Sequence, residues 1–231
     1  MTSDLGLNRD GRRRIRQIGV MVVVIALTLF LSAGRLDWPE AWVFLILYVG
    51  SVLVGGTWMV RRHPEVVNER GRSDSSTKPF DRVFAPFYAS VGLAQYVVAG
   101  LDARFFGSAV PLWARVLGSV GLVVSMASVF WAMAHNPFLA TTVRIRSDQG
   151  HRVATTGPYR IVRHPMYAGN LLFSWTPAFC LGSWWALLPT LVSALLLILR
   201  TRLEDRALLR ELPGYADYAR TVPHRLVPGL W

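Results

Sequence analysis

Residues that form cross-links or bind metals are scarce in this chain of 231 residues. Its single cysteine, Cys180, lies in an apolar stretch, so neither an intrachain disulfide nor a cysteine-based metal site is possible. The five histidines and 14 acidic residues show no spacing that would gather metal ligands. A dinucleotide-type glycine motif after a strand and a phosphate-binding loop are also missing. We therefore expect no metal centre.

Charged residues make up only 17% of the chain and are mostly positive, with a formal net charge of +11. In a soluble protein this balance would suggest nucleic acid. Here 52% of the residues are hydrophobic, and the basic residues lie between long apolar runs, where arginines can meet anionic lipid head groups. A helix needs about 20 residues to cross a bilayer, and in lipid its backbone polar groups must be satisfied internally. We predict an all-α polytopic protein embedded in the lipid bilayer, with no nucleic-acid partner.

The apolar runs predict six membrane-spanning helices, over residues 15–33, 38–60, 80–101, 111–135, 166–181 and 184–199. The last two are short and are separated by Gly182-Ser183, which predicts a tight helical hairpin. Residues 61–79 are expected to form a polar loop. On this division, residues 1–135 form a four-span region, and residues 136–231 contribute a loop, the hairpin and a charged tail to the same membrane domain.

The basic residues predict which ends of the spans face the cytoplasm. Of the 25 lysines and arginines, 22 fall in residues 1–16, 61–82, 144–163 and 200–225, which six spans would place on one side. Only Arg35, Arg104 and Arg115 fall on the other side. The positive-inside rule then places both termini and both long polar loops in the cytoplasm. We expect an inner or plasma membrane of the bacterial type, with any site in these loops on the cytoplasmic side.

The segment 157–169 is the strongest candidate for a functional site. It places Tyr159, Arg163, His164 and Tyr167 directly before or at the start of an apolar run. Pro165 suits the first turn of a helix, whose free amides would then be available to a carboxylate or phosphate. Each of these side chains alone is more simply an interfacial anchor, but their clustering between two glycines favours a site.

A second polar cluster, Arg200 with Glu204 and Asp205, lies about 35 residues later. A solvated helix end would explain it if it stood alone. A hairpin of the last two spans would, however, return Arg200 to the depth of His164, so we expect the two clusters to converge. His135 is most simply a helix end, and His151 a loop residue, unless the loop folds over a ligand.

At these residues the chain resembles the isoprenylcysteine carboxyl methyltransferase family of integral membrane methyltransferases, which use S-adenosylmethionine. The resemblance covers about the last 100 residues and is carried by Asn136, Phe138, His151, Thr156-Gly157-Pro-Tyr159, Arg163-His164-Pro-Met-Tyr167-Ala-Gly169, Arg200, Glu204 and Tyr215-Ala-Asp-Tyr218. The chain departs from the family pattern in two places. Asp205 replaces a second glutamate, and Leu212-Pro-Gly214 replaces a Phe-Gly pair.

The resemblance implies methyl transfer, most simply carboxyl O-methylation, from S-adenosylmethionine to a lipophilic acceptor. The cofactor would enter from the cytoplasm and the acceptor from the bilayer. The implied cofactor-binding residues are His151, Thr156, Gly157, Tyr159, Arg163, His164, Tyr167, Gly169, Glu204 and Asp205. Arg163 would either touch the cofactor or hold the turn. Arg200 and Glu204 are the implied catalytic residues, with Arg200 orienting an anionic acceptor.

Three alternatives remain open at this point. Membrane phospholipid methyltransferases and small-thiol methyltransferases would suit the same architecture. An NADPH-dependent membrane reductase related to the sterol reductases would use the loop arginines for a 2′-phosphate. A non-enzymatic lipid-binding protein would leave the clustered histidine, tyrosines and glutamate unexplained.

Overall fold

The structure is a computed structural model that describes residues 6–72, 79–139 and 152–231, with backbone only for 79–81. Within these residues it contains helices and no strand, which confirms the all-α prediction. The helices are α1 (Arg9–Ala33), α2 (Pro39–Arg62), α3 (Pro64–Gly71), α4 (Pro79–Phe105), α5 (Leu112–Ala134), α6 (Pro165–Cys180), α7 (Leu187–Glu211) and α8 (Tyr215–Thr221), with a 3₁₀ turn at Gly157–Arg160.

Four of the described helices, α1, α2, α4 and α5, are long and apolar enough to cross a membrane. They correspond to the first four predicted spans. Large apolar side chains of α1, among them Val20, Val23, Leu27 and Leu31, point outward and are more than half exposed. Such a surface suits lipid and would be unfavourable in water. The protein is therefore an integral membrane protein.

The predicted hairpin is present, because α6 and α7 pack against each other and are joined by residues 181–186. With 16 residues, α6 extends about 24 Å and falls short of a hydrocarbon core of about 30 Å. Although α7 has 25 residues, its C-terminal half is charged. Neither helix therefore meets the requirement for a span, and a six-span topology with cytoplasmic termini stays a prediction.

Polar side chains fix the hairpin against α4. The amide nitrogen Nε2 of Gln95 donates to the carbonyl oxygen of Ser174 at 2.7 Å. The hydroxyl of Thr190 on α7 donates to the same carbonyl at 3.1 Å. All three side chains are buried. Such hydrogen bonds hold helices together where the surrounding lipid gives no hydrophobic drive for association.

Close contact between α5 and α6 sets the position of the segment that starts at residue 157. A Cβ atom added to Gly169 would lie 2.9 Å from Cγ2 of Val129 and 3.2 Å from the carbonyl oxygen of Ser125. Small residues allow helix backbones to approach this closely in membranes. The start of α6 therefore lies beside the end of α5.

The prediction of a polar loop over residues 61–79 was wrong in part, because Pro64–Gly71 forms α3. Pro64 is pre-organised for a first helical turn, and Glu65 and Arg70 complement the helix dipole at its two ends. The side chain of Asn68 donates to the carbonyl oxygen of Gly6 at 3.0 Å and accepts from the amide of Asn8 at 3.1 Å. These bonds hold α3 against the start of α1.

Candidate functional site

The two polar clusters found in the sequence meet in the structure. The hydroxyl of Tyr167 donates a hydrogen bond to Oε2 of Glu204 across 37 residues of sequence. The ring nitrogen Nε2 of His164 lies 3.2 Å from Oδ1 of Asp205. The α6–α7 hairpin produces both contacts, since it returns the chain to the level at which α6 begins.

Asp205 is the centre of a buried polar network. Its side chain is 1% exposed and accepts hydrogen bonds from both Nε and Nη2 of Arg163, each at 3.0 Å. The hydroxyl of Tyr215 and Nε of Arg225 each donate to it at 2.8 Å. Burial alone would raise the pKa of the Asp205 carboxyl, but the hydrogen bonds from His164 and Arg163 outweigh burial and hold that pKa well below its usual range. The carboxylate therefore stays charged and fully occupied by the protein.

Arg163 joins this network to the C-terminal tail. Its Nη1 donates to the carbonyl oxygens of Val222 and Pro223 at 3.0 and 3.1 Å. Its backbone amide donates to the carbonyl of His224 at 2.9 Å. This guanidinium therefore ties the turn to Asp205 and to the tail. Arg163 and Asp205 thus link the turn, α7 and the tail, and a direct contact of either residue with the cofactor stays a prediction.

A cleft opens beside this network; water-sized groups have about 80 Å³ of room in it, and the whole space between its atoms, open solvent included, is about 750 Å³. Its wall combines polar and apolar side chains, as in many small-molecule sites. Within the described residues, the lining is formed by Asn136, Phe138, Leu139, Arg152, Val153, Ala154, Tyr159, Arg163, His164, Met166, Tyr167, Glu204, Leu208, Leu212, Tyr215 and Tyr218. Five of the sequence-predicted residues are among them: Tyr159, Arg163, His164, Tyr167 and Glu204.

The predicted glycines have packing roles in the described structure and do not line the cleft. Gly157 has φ +56, and a Cβ there would lie 2.4 Å from the ring of His135. It thus allows both a left-handed turn and the approach of that ring. Gly169 allows α6 to approach α5, as described above. Thr156 precedes the 3₁₀ turn and is exposed, and His151 lies outside the described residues.

Arg200, expected at the acceptor end, also lies beside the cleft rather than in its wall. Its guanidinium carbon is 5.3 Å from the centre of the Tyr167 ring and 5.3 Å from that of Phe84. These distances are within the range of cation–π attraction. Tyr167 therefore stands between two groups of opposite charge, with Glu204 at its hydroxyl and Arg200 near its ring.

Two tyrosines of α8 complete the site and were not singled out as site residues from the sequence. Tyr215 binds Asp205, and the Tyr218 hydroxyl donates to the carbonyl oxygen of Tyr159 at 2.7 Å. Burial raises the pKa of Tyr218 to about 12 and raises the pKa of Tyr159 well above its usual range. Both hydroxyls therefore remain donors at neutral pH. The signal available in the sequence was the three-residue spacing of Tyr215 and Tyr218, which places both on one face of α8.

Part of the chain is similar to known proteins. Residues 113–212 match the family model described as phospholipid methyltransferase. The chain is also 30% identical over 136 residues to the cobalt-zinc-cadmium resistance protein CzcN of Cupriavidus metallidurans. That alignment covers 55% of this chain and 57% of CzcN, so the chain spans little more than half the length of this curated relative. Within the described residues, no group of three or more potential metal ligands converges.

Proposed function

We propose that this chain, whose residues 113–212 match the phospholipid methyltransferase family model, transfers a methyl group from S-adenosylmethionine to a lipophilic acceptor. The match of residues 113–212 to this family model supports the resemblance to the membrane methyltransferases and supports a methyltransferase activity in the membrane.

The observation that carries the proposal is the meeting of His164, Tyr167 and Glu204 at one cleft. S-adenosylmethionine supplies a methyl group on a positively charged sulfur and carries an amino acid moiety. The residues present fit such a group. Glu204 is half-buried, lines the cleft and offers a negative charge to an ammonium, and the tyrosine rings offer aromatic faces to a cation. The first turn of α6 has no side-chain cap; Pro165 has no N–H and the Ala168 amide bonds the carbonyl of His164, so the amides of Met166 and Tyr167 are the ones that could meet a carboxylate.

The residues around the cleft position these groups. Tyr167 holds the Glu204 carboxylate through its hydroxyl. Asp205 and the Tyr215 hydroxyl, 3.3 Å away, bind the same nitrogen of His164 and fix its ring. Methyl transfer from a sulfonium releases a neutral thioether and needs no metal and no strong base when the acceptor is a carboxylate. Positioning alone can supply up to about 7–11 kcal/mol of the acceleration.

For the acceptor, we propose a carboxylate that is oriented by Arg200 and methylated on oxygen. Arg200 supports this choice because it lies next to Tyr167 and carries the charge that a carboxylate requires. Phospholipid amines and small thiols are the alternative methyl acceptors for a site of this architecture. They would be recognised by an N- or S-methylated product in a labelling experiment.

Binding of S-adenosylhomocysteine, measured by calorimetry on the purified protein, tests the cofactor site. Wild-type protein should bind it and should not bind NADPH. Glu204→Gln should weaken binding by about 10- to 100-fold, because it removes the charge that would meet the ammonium, and a hydrogen bond to a charged group is worth about 1.5–3 kcal/mol. His164→Ala should weaken binding to a similar extent, because it removes a ring that lines the cleft. Glu65→Gln, an exposed change on α3, is the matched control and should bind as wild type does.

A second experiment tests the reaction itself. Wild-type protein should transfer a tritiated methyl group to a component of native membrane lipid extract, and Glu204→Gln should not. Wild-type binding of NADPH in place of S-adenosylhomocysteine would reject the proposal in favour of a reductase. Unchanged S-adenosylhomocysteine binding in both cleft variants would reject this cleft as the site.

A further inference from the structure

Two arginines from the N-terminal half of the chain are brought together near the cleft. Arg14 lies in α1 and Arg70 in α3. Gly71, next to Arg70, packs so closely on α1 that a Cβ there would be 3.1 Å from Cβ of Arg14. The bonds of Asn68 described above hold the two helices in this register. Both arginines lie outside residues 113–212, which match the family model.

Neither arginine has a carboxylate partner within the described part of the chain. The polar contact of Arg70 runs from Nη1 to the thioether sulfur of Met166 at 3.5 Å, and a thioether is a weak acceptor. Arg14 interacts electrostatically with Tyr48 and with Arg70. Partly buried guanidinium groups are normally paired with carboxylates, because an unpaired charge loses hydration without compensation.

The pair also carries an electrostatic cost. Burial and, after it, the nearby charge of Arg14 lower the pKa of Arg70 to about 9. Arg70 is still protonated at neutral pH, so two positive charges are held close together in a partly desolvated place. An anion between them would restore hydrogen bonds to both groups and remove their repulsion.

The arginine pair adjoins the proposed reaction site. Met166, which Arg70 contacts, lines the cleft together with Tyr167. Arg200 approaches the Tyr167 ring and adds a third positive charge acting on Arg70. The positive groups therefore extend from the wall of the cleft towards α1, where the apolar part of a candidate membrane span begins.

We propose that Arg14 and Arg70 bind the anionic head group, a phosphate or a carboxylate, of the lipophilic methyl acceptor. Arginine suits this task because its planar fork binds either group through two parallel hydrogen bonds. The apolar chain of the acceptor would leave this site along the lipid-facing surface of α1. This inference rests on the proposed function for the identity of the ligand as acceptor, while the anion site itself can be tested without any methyl transfer.

Direct binding of two tritiated amphiphiles in neutral maltoside micelles tests the site. Oleoyl lysophosphatidate supplies a phosphate and oleate supplies a carboxylate on the same chain, and unlabelled mono-oleoylglycerol is the neutral competitor. At least one anionic probe should bind wild-type protein saturably and resist the neutral competitor. Arg14→Gln and Arg70→Gln should raise its dissociation constant about tenfold or more, as expected for loss of a charge-assisted hydrogen bond.

Control variants separate this site from general attraction to anionic lipid. Arg13→Gln removes an exposed charge one position away on the same helix and should change the dissociation constant less than about twofold. Arg14→Lys and Arg70→Lys should lose less affinity than the glutamine variants, because they keep the charge and lose the fork.

S-adenosylhomocysteine binding distinguishes failure of this inference from failure of the proposed function. All arginine variants should bind it like wild type, which also shows that they fold. The anion site is rejected if mono-oleoylglycerol displaces both anionic probes, if both glutamine variants bind like wild type, or if Arg13→Gln loses as much affinity as they do. If wild-type protein binds an anionic probe but not S-adenosylhomocysteine, the proposed function fails and the anion site stands.

Discussion

Replacing Asp205 with Asn should destabilise the protein more than any other single change to its ion pairs. Asp205 is 1% exposed and accepts hydrogen bonds from Arg163, Tyr215 and Arg225, with His164 at 3.2 Å. Asparagine keeps the shape of the side chain but has one acceptor oxygen in place of two. Its NH₂ group would point towards donors that need an acceptor.

The size of this loss of stability follows from the positive charge of Arg163, which would remain buried without its partner. Arg163 is 7% exposed, so in Asp205→Asn its guanidinium would keep its burial and lose its counter-charge. Removing one partner of a buried ion pair costs about 3–5 kcal/mol. In a chain of this length, about 1 kcal/mol shifts the unfolding temperature by roughly 2–4 °C. We therefore expect the unfolding temperature to fall by roughly 6–20 °C.

Thermal unfolding in a neutral detergent, followed by tryptophan fluorescence, measures this difference. The matched control is Asp217→Asn, which also removes an aspartate that pairs with an arginine. In that pair Asp217 and Arg220 are 79% and 80% exposed, and an exposed pair contributes about 0–1 kcal/mol. A fall below about 2 °C for Asp205→Asn, or equal falls for the two variants, would refute the view that Asp205 holds the site together.

Two further predictions concern the turn and the tyrosines beside the cleft. Gly157→Ala should cost about 1–3 kcal/mol of left-handed strain and should also make the new Cβ clash with the His135 ring. In the same unfolding assay its loss of stability should exceed that of Gly107→Ala, where φ is +64 but no atom lies within 4 Å. Equal losses for the two variants would contradict the clash. At high pH, Tyr218 should lose its contribution to stability as pH rises from about 10, the value in the unfolded chain, to about 12, because burial raises its pKa in the folded protein. The stability difference between wild type and Tyr218→Phe, measured by denaturant unfolding, should shrink by about 1.4 kcal/mol per pH unit over that interval, and a constant difference would contradict this.

The main helices could be predicted from the sequence because their apolar runs are long. The first four predicted spans coincide with α1, α2, α4 and α5 within a few residues, and Gly182-Ser183 marks the turn of the hairpin. That hairpin was enough to predict that His164 and the carboxylates of α7 meet. The convergence of distant polar residues thus followed from counting residues along two adjacent helices.

Other features depend on contacts that the sequence does not encode locally. The helix α3 lies in a polar segment without an apolar period, and it is held by the bonds of Asn68 to the start of α1. Arg14 and Arg70 are 56 positions apart and become neighbours only through that packing. The contacts of Arg163 with Asp205 and the tail could not be read from its motif, because a motif does not show which parts of the protein a charged side chain meets.

The adjacent acidic residues of α7 show how one motif supplies both a group that faces the cleft and a group that is buried in the protein. Successive residues of an α-helix point about 100° apart, so Glu204 and Asp205 cannot face the same partners. Asp205 points into the tail and is neutralised by Arg163 and Arg225. Glu204 faces the cleft, and within the described residues its one hydrogen bond comes from a neutral hydroxyl, that of Tyr167. Its charge is oriented but not neutralised, and it therefore remains available to a cation. The shorter aspartate is compatible with the buried position because two arginines reach it, whereas the carboxylate that must extend into the cleft is the longer glutamate.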